Sequence, residues 1–237
     1  MNDDGYLNIG EHRIKVIRSK RHSMSLRIDN NKNISILCPL STSARYISSF
    51  VEAKQSWIDK AMRKIDNKID LINIDSEAGY IMLNGRKIQL IIEHNDKIVK
   101  YEFDGNTLTL FSKTMSNTVL IRLIFLFLRH QLGSLQETFT KYEKLITPQR
   151  PVHKVSWRPM RSRWGSYSSM HNISLNIALA MLPKELQELV IVHELCHIQE
   201  PNHSRYFYKY LGEYLPNYIE LDKELNRYKL NSIFCEN

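Results

Sequence analysis

Cysteine is scarce in this chain, and its three cysteines show no paired spacing: Cys38, Cys196 and Cys235. An odd number of isolated cysteines gives no disulfide framework and is typical of a reducing compartment. The N-terminal segment contains acidic residues and no apolar stretch of the kind found in signal peptides. These features predict a cytoplasmic protein without a disulfide scaffold.

Long hydrophobic runs, internal repeats and low-complexity segments are also absent. The most apolar stretch is Leu120–Leu128, which Arg122 interrupts and Arg129 closes. It is much shorter than the roughly 20 residues that a membrane-spanning helix needs. We therefore expect a buried helix at this point, no membrane partner, and a soluble globular protein.

Positive charge exceeds negative charge, with 33 Lys and Arg against 25 Asp and Glu and a formal net charge of +8. Much of the excess lies in two stretches, residues 13–21 and residues 150–163. Such clusters can bind nucleic acid or a nucleotide, although solvated surface charge produces the same composition. The charge pattern therefore leaves a nucleic-acid partner open.

The first 112 residues are predicted to be rich in β-strand. Apolar residues alternate through residues 24–38 in the pattern of a β-hairpin, and one amphipathic helix is predicted from Thr42 to Ile65. Two more hairpins are predicted around Asn84-Gly85 and around Asp104-Gly105-Asn106, because both are turn-forming sequences between alternating strands.

Residues 113–237 form the second predicted region, which begins with one long helix from Ser116 to Leu145. Later segments have the pattern of two strands and three helices: Val152–Trp157, Ile173–Leu179, Lys184–Gln199, Ser204–Tyr214 and Asn217–Leu230. The sequence therefore predicts an α+β fold with a β-rich N-terminal region.

The stretch VIVHELCHIQEPNHS, from Val190 to Ser204, has the spacing of a metal site. On a helix, His193 and His197 lie one turn apart on one face, so both imidazoles can bind one ion. Glu194 projects about 100° away from His193, where it can reach a water molecule on that ion. The spacing provides two ligands and a general base.

A third ligand is available after this helix. Pro201 biases the preceding residue out of the helix, Asn202 can cap the next helix, and His203 then lies in its first turn. Three imidazoles leave a fourth position open for water, as catalytic zinc requires. Histidines on an apolar helix can instead be core residues, and Cys196 on this helix is interpreted as a free buried cysteine.

Three segments of the chain resemble the YgjP-like metallopeptidases, a bacterial family of zincins similar to the SprT-like metalloproteases. They are R-W-G-S at Arg163–Ser166, N-I-S-L-N at Asn172–Asn176, and H-E-L-x-H-x-x-x-x-N-H-S at His193–Ser204. Segments near the N-terminus, at Phe50–Ile58 and in the LNGRKIQL hairpin also resemble the family, so the resemblance covers most of the chain.

The resemblance implies a zincin-like α+β metallopeptidase core within one continuous family domain. It implies that His193, His197 and His203 bind zinc and that Glu194 is the catalytic base. It also implies substrate-binding roles for Arg163, Trp164 and Ser166, although a surface charge and a core tryptophan explain the first two equally well. The strand at Asn172–Leu179 is a candidate edge for pairing with an extended peptide.

Two positions depart from related patterns. Tyr167 stands where many family members have a cysteine, so any role of that thiol is lost, and a packing or hydrogen-bonding role is expected instead. Glu200 stands where metzincins have a turn glycine, so Pro201-Asn202 must form the turn.

We favour a zinc-dependent metallopeptidase that hydrolyses peptide bonds of a protein or peptide substrate with metal-activated water. A metal-dependent phosphohydrolase acting on nucleotides is an alternative, in which Lys154, Arg161 or Arg163 would neutralise phosphoryl charge. A nucleic-acid-associated protein with a structural zinc is another. Glu194 disfavours that last alternative, because a structural site needs no base.

Overall fold

The alternating residues near the N-terminus form a four-stranded sheet in the computed structural model, which describes residues 5–29, 32–74, 79–114, 116–230 and 233. Its strands are β1 (Tyr6–Ile9), β2 (His12–Ser19), β3 (Ser25–Ile28) and β4 (Ile34–Pro39), in the order β1-β2-β4-β3. Strands β2 and β4 are parallel, whereas the other neighbours are antiparallel. The predicted β3–β4 hairpin is confirmed, although Asn30 and Asn31 of its turn lie outside the described residues.

Two helices pack on one face of this sheet, α1 (Ala44–Glu52) and α2 (Gln55–Asp66). Their apolar face buries Ile47, Val51 and Ile58 against the sheet. The prediction of one continuous helix is wrong, because the backbone at Lys54 leaves the helical region with φ −104° and ψ 6°. Lysine is a good helix former, so the sequence gives no signal of this break.

A five-stranded sheet follows, in the order β6-β7-β8-β10-β9. After the short strand β5 (Ile69–Asp70), its members are β6 (Ile72–Asn73), β7 (Tyr80–Leu83), β8 (Arg86–His94), β9 (Lys100–Phe103) and β10 (Thr107–Ser112). Both predicted hairpins are confirmed. Asn84 and Gly85 have φ values of 47° and 78°, the left-handed conformations that a two-residue Asn-Gly turn requires.

The predicted long helix is two helices, α3 (Asn117–His130) and α4 (Gly133–Ile146), bent by 52°. Gly133 begins the second helix, and glycine is a poor residue for continuing a helix through its interior. As predicted, the apolar stretch is mostly buried, with Ile124, Phe127 and Leu128 fully enclosed. No single helix in the described part of the chain has the length and apolar character to cross a membrane; only α3 and α4 taken together do.

A three-stranded sheet precedes the histidine-rich helix. It consists of β11 (Lys154–Arg158), β12 (Gly165–Ser168) and β13 (Asn172–Asn176), in the order β11-β13-β12. The expectation that Asn172–Leu179 forms an edge strand is wrong, because β13 is paired on both sides. The strand also ends early, at Asn176, and a 3-10 helix occupies Ile177–Met181.

The last helices are α5 (Lys184–Cys196), α6 (Arg205–Tyr214) and α7 (Tyr218–Leu225). The predicted extension of α7 to Leu230 is wrong: the helix ends at Leu225, and β14 (Tyr228–Lys229) pairs with β5. Cys196 on α5 and Cys38 are both free and buried, as expected for Cys196, and Cys235 lies outside the described residues.

The turn between β7 and β8 is bound to the 3-10 helix that precedes α5 and to the first turns of α5 itself. Asn84 N donates to Ala180 O at 2.9 Å, Gly85 N donates to Met181 O at 3.1 Å, and Gln187 Nε2 donates to Asn84 Oδ1 at 3.1 Å. These strands share one core with α3 to α6. The chain divides into two compact units after Lys68, and the change from strand to helix patterns near residue 112 lies within the second unit. The α+β fold class is confirmed.

Candidate metal centre

Helix α5 carries His193 and Glu194, and His197 directly follows it as the C-cap residue. Pro183 directly precedes the helix, where its missing amide proton is not needed, and Glu185 lies at the positive end of the helix dipole. The helix is buried along most of its length, so His193 is half-buried and Glu194 is only 7% exposed. Burial of the helix thus shields most of Glu194, and part of His193, from bulk water.

His197 is the residue that ends α5, and its ring is oriented by the turn that follows. Its Nδ1 lies 3.2 Å from Glu200 O. A carbonyl oxygen only accepts hydrogen bonds, so Nδ1 carries the proton and Nε2 keeps its lone pair. The ring therefore has a nitrogen available for an ion.

His203 approaches from the segment after Pro201. Its Nε2 lies 2.9 Å from His193 Nε2, and one ligand atom from each of His193, His197 and His203 lies within 4.8 Å of the others. The helix cap differs from the prediction. Ser204 caps α6 by accepting a hydrogen bond from Tyr206 N, so His203 precedes the helix and Asn202 does not cap it.

Phe207 forms a floor beneath the three imidazoles. Its ring centroid lies 4.9 Å from that of His193, 4.7 Å from that of His197 and 4.8 Å from that of His203, and its side chain is fully buried. No sequence pattern predicts a role for this residue. The only available signal was its position four residues after His203.

The surroundings of the histidines favour neutral rings. Burial lowers the pKa of His193 to about 3, with further lowering from the nearby His197 and His203. Burial also lowers the pKa of His197. A neutral imidazole has the lone pair that a metal needs, and three imidazoles that converge match the donor set of a divalent transition metal.

Glu194 lies against a glycine of β12. A Cβ added to Gly165 would lie 2.6 Å from Glu194 Oε1 and 2.6 Å from its Cγ, far closer than atoms can approach. Burial raises the pKa of the Glu194 carboxyl to about 7, although the nearby Arg163 guanidinium opposes this shift. Glycine at position 165 is therefore required for the position of the carboxylate.

Asn176 positions the loop that leads to Gly165. This fully buried side chain donates from Nδ2 to Met160 O at 2.7 Å and to Arg163 O at 2.9 Å. Its Oδ1 accepts a hydrogen bond from Ala178 N at 3.1 Å, and this bond starts the 3-10 helix. The same bond explains why β13 ends here despite the continued alternation of apolar residues.

A cavity of about 420 Å³ opens beside His193 and Glu194. Of the predicted substrate-binding residues, Arg163 and Trp164 line this cavity, whereas Ser166 lies on β12 outside the lining. Lys154 and Arg161, the other two cations considered for phosphate binding, do not line it either.

Tyr167 packs beside the second histidine. Its ring stacks on His197 with centroids 6.1 Å apart and an interplanar angle of 19°. Its hydroxyl lies 3.5 Å from Nδ1 of His171, at the limit of a hydrogen bond. The tyrosine thus contacts a candidate ligand, in keeping with the packing role expected from the sequence.

Comparison with known proteins gives one family match. The family model described as "YgjP-like, metallopeptidase domain" matches residues 22–228. No curated protein matches the chain. Similar solved structures include the metallopeptidase zymogen of Pyrococcus abyssi abylysin, with 24% identity and a TM-score of 0.35 over 38% of this chain and 90% of that one.

The metallopeptidase zymogen of Methanocaldococcus jannaschii jannalysin is similar as well, with 21% identity, a TM-score of 0.35, and coverage of 38% of this chain and 92% of that chain. The family match spans both compact units and includes R-W-G-S, N-I-S-L-N and all three histidines. The chain belongs to the YgjP-like metallopeptidase family, whose members are peptide-hydrolysing enzymes that need a metal ion.

Proposed function

We propose that the protein is a zinc-dependent peptidase in which His193, His197 and His203 bind the metal and Glu194 is the general base. The observation that carries this proposal is the meeting of three imidazole nitrogens within 4.8 Å of one another, together with the buried Glu194 carboxylate directly after His193 in α5. Zinc is favoured among divalent metals because three imidazoles with an open fourth position are a common catalytic zinc site.

When bound, zinc supplies a Lewis acid that polarises a carbonyl oxygen and makes water more acidic. The chain's own residues do the rest of the chemistry. The Glu194 carboxylate accepts a proton from the attacking water and returns it to the leaving amide nitrogen, so that one group acts first as base and then as acid. The Phe207 floor excludes water from the far side of the three rings.

The substrate is proposed to lie along β12. Among the described residues this strand is paired only with β13, so its outer main-chain groups are available to an extended peptide. Ser166 would then contribute through its backbone, while Arg163 and Trp164 contact the substrate from the cavity wall.

The nucleotide phosphohydrolase alternative is less well supported. Arg163 and Lys223 are the cations in the cavity lining, where Glu194 and Asp222 offset their charge. A polyphosphate site needs a net positive lining. The metallopeptidase family match also favours a peptide substrate.

The test is a screen of unfolded proteins and peptide mixtures, with metal removed and zinc restored, on the wild type and on Glu194→Gln. The amide is nearly isosteric with the carboxylate, so zinc content and circular dichroism should be retained while activity falls by about 10²- to 10⁴-fold. Glu188→Gln on the same helix is the matched control, with no loss of activity expected. Loss of zinc in Glu194→Gln would make Glu194 a ligand and contradict the proposal.

A nucleic-acid partner is also proposed, at the face of the N-terminal sheet that the helices leave open. One row of paired residues crosses its four strands and consists of Tyr6, Lys15, Ser35 and Arg27. The guanidinium carbon of Arg13 lies 4.5 Å from the Tyr6 ring centroid. Exposed cations beside an aromatic ring are the groups that bind single-stranded nucleic acid.

The partner proposal is tested by binding of labelled single-stranded RNA and DNA at several salt concentrations. Affinity should fall steeply with salt, and Lys15→Ala combined with Arg27→Ala should lower both the affinity and the salt dependence. No binding at low salt removes nucleic acid as a partner.

A cytoplasmic location is proposed too, since Cys38 and Cys196 are free thiols, as a reducing compartment allows. Cell fractionation with an antibody to the protein tests it. Recovery in a secreted or membrane fraction would contradict it.

A further inference from the structure

The cavity beside Glu194 extends away from the histidines between three helices. Leu189 and Val190 of α5 line it one turn before His193 and Glu194, so they share the face that carries those two residues. Leu211 of α6 and Ile219 and Leu225 of α7 provide the remaining aliphatic lining. The cavity therefore connects the reacting groups to an apolar space.

Helix α7 gives this space one wall that is open to solvent. None of the residues of α7 is buried, and Ile219 is 49% exposed although it faces the cavity. Apolar surface exposed around a concave space beside a catalytic group is typical of a ligand pocket. Asp222 and Lys223 of the same helix also line the cavity and are exposed.

Stacked aromatic rings connect the cavity wall to the third histidine. Tyr208 stacks on His203 with centroids 6.2 Å apart and on Tyr218 with centroids 5.8 Å apart, at interplanar angles of 27° and 19°. Both tyrosines line the cavity. Flat aromatic faces and branched aliphatic side chains favour an apolar occupant over a charged one.

We propose that this cavity binds a large apolar side chain of the substrate, next to the bond that is cleaved, and that Ile219 is a specificity-determining residue. This inference rests on the proposed peptidase function. A volume of about 420 Å³ accommodates a leucine, methionine, phenylalanine or tyrosine side chain. Burial of such a side chain corresponds to a preference of roughly ten- to a hundredfold over glycine in kcat/KM.

The experiment maps cleavage sites in a diverse peptide mixture by mass spectrometry and then measures kcat/KM for matched peptides that differ at one position. Wild type should show one position next to the cleaved bond enriched in large apolar residues. Ile219→Lys should lower the ratio of kcat/KM for leucine over alanine at that position by about tenfold, and raise the ratio for glutamate over leucine.

Leu126→Lys is the matched control, because Leu126 is 45% exposed on α3 and does not line the cavity. It should keep the wild-type preference. If Ile219→Lys cleaves nothing, Ile219→Ala provides the second comparison, because it enlarges the cavity and should shift the preference from leucine towards phenylalanine and tyrosine.

The outcomes separate the two proposals. A wild type that cleaves no peptide contradicts the proposed function itself. Two results overturn the assignment of this cavity without affecting the proposed peptidase function. In the first, the wild type cleaves peptides but shows no apolar preference next to the cleaved bond. In the second, the Ile219 variants keep the wild-type preference. As a readout independent of turnover, peptides with leucine at the preferred position should bind Glu194→Gln more tightly than those with glycine, and equal binding overturns the assignment as well.

Discussion

The carboxylate of Glu194 occupies the space that a side chain at position 165 would need, since a Cβ there would lie 2.6 Å from Glu194 Oε1. Gly165→Ala must therefore displace either the carboxylate or β12. If Glu194 is the general base as proposed, peptidase activity should fall by about 100-fold or more while the bound metal is retained, because displacing the base is nearly as harmful as removing it. Activity assays together with metal analysis measure this.

Gly133→Ala is the control for that substitution, since a Cβ there meets nothing within 4 Å at the start of α4. Activity should be unchanged and stability equal or slightly higher. Wild-type activity in Gly165→Ala would show that Glu194 does not need its present position.

Replacement of single histidines tests the ligand assignment. His193→Ala, His197→Ala and His203→Ala should each weaken zinc binding by more than about 100-fold, because loss of a supporting residue alone typically costs 10- to 100-fold. Competition with a zinc-sensitive chelator measures the affinity. His153→Ala, at an exposed position outside the cluster, should bind zinc like the wild type. Unchanged affinity in His203→Ala would remove that residue from the ligand set.

Asn176→Ala should destabilise the protein and lower activity together. It leaves Met160 O, Arg163 O and Ala178 N without their buried partner. Only the Ala178 amide is fully buried, whereas the two carbonyls are partly accessible to water, so the free energy of unfolding should fall by roughly 1–3 kcal/mol in urea denaturation. The exposed Asn226→Ala should lose less than about 1 kcal/mol. If Asn176→Ala unfolds at the same urea concentration as the wild type, this side chain does not hold the loop.

The turn at Asp104 should add a pH-dependent contribution to stability. Hydrogen bonds from the backbone amides of Asn106 and Thr107, both 2.8 Å, lower the pKa of this carboxyl in the folded state. The stabilisation is therefore complete above the unfolded-state pKa and is lost as pH falls through the lower folded-state pKa, below about pH 4.

Thermal unfolding of the wild type and Asp104→Asn from pH 7 to pH 3 measures this contribution. The stability difference between them should shrink at the acidic end of that range. Glu137→Gln, at an exposed position on α4, serves as the control for the loss of one negative charge. A difference that stays constant with pH would show that the carboxylate does not stabilise the turn.

Local chemistry explains which parts were predictable from the sequence. The prediction of the Asn84-Gly85 turn was correct, because asparagine and glycine are the residue types that adopt the two left-handed conformations of this turn. The placement of His193 and His197 on one face follows from helix geometry alone. The role of Gly165 was missed because it depends on Glu194, 29 positions later in the chain. The role of Phe207 was missed because it depends on three histidine rings that only the folded chain brings together.

The errors have the same origin. The break between α1 and α2 contains good helix formers, and the end of β13 depends on where the Asn176 amide finds carbonyl partners. The boundary predicted near residue 112 is a different case: it follows a change from strand to helix patterns and stays a prediction, whereas the compact units meet after Lys68. The hairpins before it nevertheless share their core with the later helices, and a pattern along the chain does not report such packing.

The attachment of the β7–β8 turn to α5 has a consequence for how the enzyme tolerates change. A Cβ at Gly85 would lie 2.8 Å from Pro183 Cγ, so the turn fits against the first turn of the helix that carries His193 and Glu194. The turn therefore contacts the N-terminal end of α5, whereas His193 and Glu194 lie near its C-terminal end. We expect insertions in this hairpin, which is remote from the histidines, to tilt α5 and displace the Glu194 carboxylate while the three proposed ligand residues remain intact.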